Sequence, residues 1–105
     1  WNFPVAMVTR KASAAIAAGC TVVLKPSELT SISALKLAEL SIEAGLPKGV
    51  FNVVTGKPKE IGKVFSTHKS IKKITFTGST KVGKYLHRHN LISIKMHLIE
   101  SIHAP

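Results

Sequence analysis

Cysteine is nearly absent from this 105-residue sequence, because Cys20 is the single one. One cysteine excludes an internal disulfide and any zinc site built from several cysteines, and it fits a reducing compartment. The five histidines form no recognised metal-ligand pattern. The sequence also has no apolar run near the roughly 20 residues that a helix needs to span a bilayer. We therefore expect neither a metal nor a membrane partner.

Acidic residues are scarce too, with 5 against 15 lysines and arginines, which gives a formal net charge of +10 at pH 7. A basic balance of this size is typical of proteins that bind nucleic acid, membranes or acidic partners. The basic residues are scattered, however, and aromatic residues make up only 6% of the chain. The sequence therefore favours a solvated basic face, or a piece of a larger protein, over a nucleic-acid partner.

Strands alternate with helices along the chain, which predicts a parallel α/β sheet with right-handed crossovers. The length allows one domain at most. The predicted helices, with Gly19 and Gly45 as helix stops, are Met7–Ala18, Ser31–Ala44, Glu60–Ser66 and a helix from Ser79 or Thr80 to about His89. The predicted strands are Thr21–Lys25, Val50–Val54, Ile74–Thr77 and Ile94–Ile99.

Polar groups and glycines follow the carboxyl ends of these predicted strands. Ligands of parallel sheets bind beyond those ends, which lie along one edge of the sheet. The candidate groups at this edge are Lys25 with Ser27 and Glu28, Gly56, Gly78 with Ser79, and Glu100. The pattern predicts a binding site there.

The stretch "KPSE" after the first strand contains a lysine and a carboxylate three residues apart. The Glu28 carboxylate can accept, and the Lys25 ammonium can donate, hydrogen bonds to the adjacent hydroxyls of a ribose. A carboxylate at that place repels a 2′-phosphate and so favours NAD over NADP. The alternative is a turn with two solvated charges, which the spacing alone favours.

The stretch "TGSTKVGKYL" resembles a nucleoside-triphosphate loop, since Gly78, Gly83 and Lys84 match G-x-x-x-x-G-K. Tyr85 occupies the position where a serine or threonine hydroxyl would bind magnesium, so this interpretation fails. What remains is Ser79 at the start of a helix. It is either a plain helix cap or a phosphate contact.

Three segments, "WNFPVAMVTRKASAAIAAGCTVVLKPSE", "EAGLPKGVFNVVTG" and "KITFTGSTKVGK", together resemble the aldehyde dehydrogenase superfamily, and most of all its succinate-semialdehyde dehydrogenases. The resemblance runs from Trp1 to Lys84 and covers about a fifth of such an enzyme. It implies a variant Rossmann-like parallel sheet with helices on both faces. Residues 1–84 would be a partial NAD-binding domain, and residues 85–105 a divergent continuation of it.

The resemblance also implies how the cofactor NAD would be bound. The adenosine ribose would be held by Lys25 and Glu28, with Ser27 between them. The remaining cofactor-binding residues would be Gly78 and Ser79 at the pyrophosphate, Val82 near the adenine, and Trp1 and Asn2 along the cofactor path.

For catalysis, the resemblance implies that the Asn2 amide binds the oxyanion of the intermediate and that Glu100 activates water. Arg10 would contact the distal carboxylate of succinate semialdehyde. Cys20 aligns with a structural position, and the catalytic cysteine is expected beyond Pro105, so we expect this chain alone not to oxidise aldehydes. Intact members are expected to be homo-oligomers in the cytoplasm or the mitochondrial matrix.

Two other functions are compatible with the sequence. One is a stand-alone, non-catalytic module that binds a dinucleotide. The other is a basic nucleic-acid binder.

Overall fold

The computed structural model describes residues 3–88 of the chain. The elements, in chain order, are α1 (Pro4–Ala17), β1 (Val22–Leu24), a 3-10 turn (Glu28–Thr30), α2 (Ser31–Glu43), β2 (Phe51–Val53), α3 (Pro58–Thr67) and α4 (Thr80–Arg88). They divide into two compact units, Trp1–Gly56 and Lys57–Pro105. The strand predicted at Ile94–Ile99 lies outside the described residues.

Two helices begin earlier than predicted, and proline is the reason in both. α1 starts at Pro4 rather than Met7, and α3 starts at Pro58 rather than Glu60. Proline is favoured in the first turn of a helix because its fixed φ is already helical and its missing N–H has no partner there. The prolines therefore mark the helix starts.

Gly19 and Gly45 end α1 and α2 as predicted. Both have positive φ, 78° and 94°. After α1, the N–H of Gly19 bonds to the carbonyl of Ile16 and the N–H of Cys20 to that of Ala15, both at 2.9 Å. Gly45 and Leu46 form the same pair of bonds after α2. This pattern is the Schellman motif, which needs a left-handed residue at the position of the glycine.

The two strands of the first unit pair in parallel, as predicted. Val22 pairs with Phe51, Val23 with Asn52 and Leu24 with Val53. α1 contacts β1 and α2, and α2 contacts β2. Ala34 of α2 and Phe51 of β2 are buried. The first unit is therefore a β-α-β arrangement whose strands share one direction.

The second unit is built on α3 and α4, which contact each other. Leu86 is buried, and a methyl of its side chain lies 3.5 Å from the position that a Cβ on Gly62 would occupy. Ser66 is the most buried polar residue in the described part of this unit, and its hydroxyl donates to the carbonyls of Gly62 and Lys63. The buried hydroxyl is thus satisfied within its own helix.

The strand predicted at Ile74–Thr77 was wrong. Residues 71–76 have no regular structure, and Thr77 alone forms a bridge. Ile74 is buried, Thr75 is exposed, and Phe76 and Thr77 are half-buried, so this apolar segment packs against the protein without forming a strand. A strand forms only where its backbone hydrogen-bonds to a neighbouring strand, and the local sequence does not determine whether such a neighbour is present.

No helix among the described residues is long and apolar enough to cross a membrane.

Replacing Gly45 by alanine is expected to destabilise the protein by about 1–2 kcal/mol, because alanine would have to adopt positive φ. No atom lies within 4 Å of the added Cβ, so the cost is conformational and not steric. The matched control is Gly62→Ala, in the interior of α3, which is expected to stabilise by about 0.5–1 kcal/mol. Urea unfolding followed by circular dichroism measures the free energy of unfolding of both variants. If both substitutions changed it in the same direction, the requirement for a left-handed residue at Gly45 would be contradicted.

Candidate functional site

The carboxyl end of β1 leads into an ion pair between Lys25 and Glu28, in which the Lys25 ammonium donates to Glu28 Oε1. Glu28 begins the 3-10 turn, and that turn runs directly into α2. Ser27 fixes the start of the turn because its hydroxyl accepts a hydrogen bond from the Leu29 N–H at 3.3 Å. The turn therefore presents an ammonium and a carboxylate together, immediately after the strand.

Burial separates this pair from the other ion pairs of the described residues. Lys36–Glu39 and Lys57–Glu60 have the same three-residue spacing, but their lysine side chains are 60% and 82% exposed. The Lys25 side chain is only 18% exposed, while its partner Glu28 is 55% exposed. Packing therefore restricts the Lys25 side chain while its carboxylate partner faces solvent. In the other two pairs both side chains are open to solvent, where an ion pair contributes little.

Glu28 is an anion across the ordinary pH range. The hydrogen bond from Lys25, with a second one from the backbone N–H of Glu28, holds the pKa of the carboxyl below its ordinary value of 4.5. The carboxylate can therefore accept hydrogen bonds from ligand hydroxyls at neutral pH.

The edge beyond β1 and β2 contains two of the predicted groups. Lys25 follows β1, and Gly56 comes three residues after Val53 at the end of β2. Because the strands are parallel, both groups lie at the carboxyl edge of this sheet. The predicted binding site at this edge, which also includes groups outside the first unit, stays a prediction.

In the second unit, Gly78 lies against the ring of Phe76. A Cβ at Gly78 would come within 2.5 Å of Phe76 Cζ. The φ of Gly78 is not in the left-handed region, so space and not backbone conformation excludes a side chain here. Sequence reasoning missed Phe76, although residues two apart in an extended segment point to the same side.

Ser79 caps α4. Its hydroxyl oxygen accepts a hydrogen bond from the Val82 N–H at 3.4 Å, and its carbonyl accepts the first helical bond, from Gly83, at 3.0 Å. The side chain is exposed, and its hydroxyl hydrogen can still donate to an anion. The first turn of α4 contains Lys81 and no acidic residue, so the partial positive charge at this helix end is not neutralised within the turn.

The other predicted residues have separate positions. Val82 is 45% exposed on α4. Arg10 is exposed on α1 and makes no ion pair with any carboxylate among residues 3–88. Trp1, Asn2 and Glu100 lie outside the described residues. In the described part of the chain, no three potential metal ligands lie together.

The comparisons with known proteins are consistent with one another. A model of the aldehyde dehydrogenase family matches residues 1–101. The mitochondrial succinate-semialdehyde dehydrogenase of Arabidopsis thaliana is 59% identical over 82% of this chain and 16% of its own length. A glutarate-semialdehyde dehydrogenase of Pseudomonas aeruginosa is 58% identical over 82% of this chain and 18% of its own length.

A solved structure of an NADP-dependent enzyme from Escherichia coli has a TM-score of 0.86 and 50% identity, over 93% of this chain and 21% of that chain. The chain thus spans about a fifth or less of the length of these relatives.

The contact between Phe76 and Gly78 predicts a specific coupling between the two residues. Gly78→Ala is expected to cost about 1–3 kcal/mol, because the new methyl would displace the half-buried ring. In a Phe76→Ala background the same substitution is expected to cost little. Unfolding of the four proteins of this double-mutant cycle measures the coupling, and an equal cost in both backgrounds would show that the ring is not the obstacle.

Proposed function

This chain belongs to the aldehyde dehydrogenase family, and we propose that it supplies the cofactor-binding residues of an enzyme that oxidises succinate semialdehyde with NAD. In the reaction, the aldehyde carbon gains an oxygen from water and loses a hydride, which NAD accepts when it is bound. The residues of this chain that serve the reaction bind and orient the reactants.

The observation that supports the proposal best is the Lys25–Glu28 pair. Of the three ion pairs among the described residues, it alone has a largely buried lysine. It also follows a parallel strand at the edge where such sheets bind nucleotides. The Glu28 carboxylate, with its lowered pKa, would accept hydrogen bonds from the two hydroxyls of the adenosine ribose. Lys25 and the Ser27 turn would hold that carboxylate in place.

The start of α4 suits an anion such as the pyrophosphate of a dinucleotide. The Ser79 hydroxyl and the start of a helix whose first turn has no acidic residue both favour an anion. Gly78 would lie against the pyrophosphate, and Val82 near the adenine. We propose NAD rather than NADP because the anionic Glu28 would repel a 2′-phosphate.

Arg10 is the residue that we propose for the distal carboxylate of the substrate. Its guanidinium is exposed and has no carboxylate partner within residues 3–88. A guanidinium can bind a carboxylate through two parallel hydrogen bonds. Trp1 beside the cofactor, Asn2 as the oxyanion donor and Glu100 as the base complete the proposed site.

We propose that the 105-residue chain does not oxidise aldehydes by itself. Cys20, its single cysteine, precedes β1, whereas Lys25 and Glu28 follow it. A three-residue strand separates its ends by about 7–10 Å, so this thiol lies at the opposite edge of the sheet from the proposed ribose site. The second candidate function, a non-catalytic dinucleotide-binding module, is favoured by the formation of the Lys25–Glu28 pair within the first unit alone.

Calorimetric titration of the chain with NAD tests the site. Glu28→Gln keeps the shape of the side chain but removes its charge, and we expect it to weaken NAD binding about tenfold or more, as loss of a charge-assisted hydrogen bond does. The matched control is Glu39→Gln, which removes the exposed partner of Lys36 and should leave the affinity unchanged. Glu28→Gln should also narrow the preference for NAD over NADP.

The result that would refute the proposed site is equal NAD affinity in the Glu28→Gln and Glu39→Gln variants. Absence of any heat at millimolar NAD in the parent chain would refute the stand-alone module.

The pH dependence of NAD binding follows from the lowered pKa of Glu28. A carboxyl with a depressed folded pKa is ionised above its ordinary pKa, and its contribution is lost only as the pH falls through the lower folded value. Affinity should therefore be constant between about pH 6 and 8 and fall only in acid below about pH 4.5. Calorimetric titrations with NAD across this pH range would test the prediction. A loss of NAD affinity with its midpoint between pH 6 and 7 would indicate control by a histidine instead.

A further inference from the structure

The charge of the chain is divided unevenly between its two units. Of the 15 lysines and arginines, 10 lie in residues 57–105, but only 2 of the 5 glutamates do. The second unit therefore has a formal charge of +8, and the first unit only +2. A charge imbalance of this kind within one chain indicates a basic interaction surface.

α4 collects three of these cations on one face. Lys81, Lys84 and Arg88 are spaced by three and four residues, so an α-helix places them in one row. The buried residues of the same helix, Gly83 and Leu86, lie on roughly the opposite side. The sequence disfavoured a nucleic-acid partner because its basic residues are scattered, but the helix brings these scattered residues together.

The row has no internal counter-charge among the described residues. Lys25, Lys36 and Lys57 each pair with a glutamate. Within residues 3–88, no carboxylate lies within ion-pair distance of Lys81, Lys84 or Arg88, and all three are exposed. Their charges are therefore available to an external anion.

We propose that this cationic row of α4 (Lys81, Lys84 and Arg88) binds the phosphate backbone of nucleic acid without sequence preference. The row extends over about 10 Å of helix, at 1.5 Å per residue, which matches about three successive phosphates of one strand at 3.4 Å each. Contacts to phosphates carry no sequence information. An anionic membrane fits less well, because Leu86 is buried and the only exposed large apolar side chains of α4 are Val82 and Tyr85.

Fluorescence anisotropy of the full chain with a labelled DNA duplex of about 20 base pairs tests the proposal. Three phosphate contacts predict that affinity falls about 40-fold between 50 and 200 mM salt, from a slope of about −0.9 per contact. The double variant Lys84→Gln with Arg88→Gln keeps one phosphate contact, so its affinity for DNA should fall only about fourfold over the same salt range. Lys81 stays unchanged because it lies in the first turn of α4, beside the proposed pyrophosphate site.

The matched control is Lys36→Gln with Lys48→Gln, which removes the same charge from the first unit. It should retain the salt dependence of the parent chain, and duplexes of different sequence should bind alike. Both double variants should keep their NAD affinity, which separates this surface from the dinucleotide site.

Three outcomes would overturn the proposal. An equal loss of DNA affinity in the two double variants would show that the net charge of the chain, and not the cationic row, attracts DNA. No anisotropy change at 50 mM salt would show that the surface binds no duplex. Binding to phosphatidylserine vesicles or to polyglutamate, but not to DNA, would assign the row to another class of partner.

Discussion

The parallel pairing of β1 with β2 is the constraint on which the first unit depends. Two parallel strands cannot be joined by a tight turn, so α2 must carry the chain back along the sheet. The same pairing places both carboxyl ends at one edge, where Lys25 and Gly56 follow the strands. An antiparallel pair of the same residues would put them at opposite edges. The location of the proposed ribose site is thus a consequence of strand direction.

Local devices hold the elements around this pair in place. The glycines after α1 and α2 satisfy the last helical carbonyls and turn the chain toward the strands. Ser27 fixes the turn that presents Glu28, and Ser79 fixes the start of α4. Each of these contacts lies at the end of an element, and both serines are among the residues proposed to bind a dinucleotide. Capping residues and anionic ligands bind the same groups, because the first backbone N–H groups of a helix have no partner within the helix.

A small core accompanies this arrangement. The buried apolar residues of the described chain are Ala34, Phe51, Ile74 and Leu86, while Leu29 and Ile32 are 83% and 81% exposed. Exposed apolar side chains in such number are typical of surfaces that further protein covers. This agrees with a chain that spans about a fifth or less of its relatives. The proposed binding residues are therefore positioned around a core of few buried apolar side chains.

The sequence by itself determined the order of the helices, the glycine stops, the parallel α/β class and the aldehyde dehydrogenase family, because periodicity, glycine and motif order are local properties of the chain. It misplaced the starts of α1 and α3, and predicted a strand at Ile74–Thr77 that is absent, since pairing depends on a neighbour. Only the tertiary structure decided that the Lys25 side chain is 18% exposed while those of Lys36 and Lys57 are 60% and 82% exposed. It also decided that the Phe76 ring excludes a side chain at Gly78. Burial and close contact are set by packing between segments, and residue spacing does not encode them.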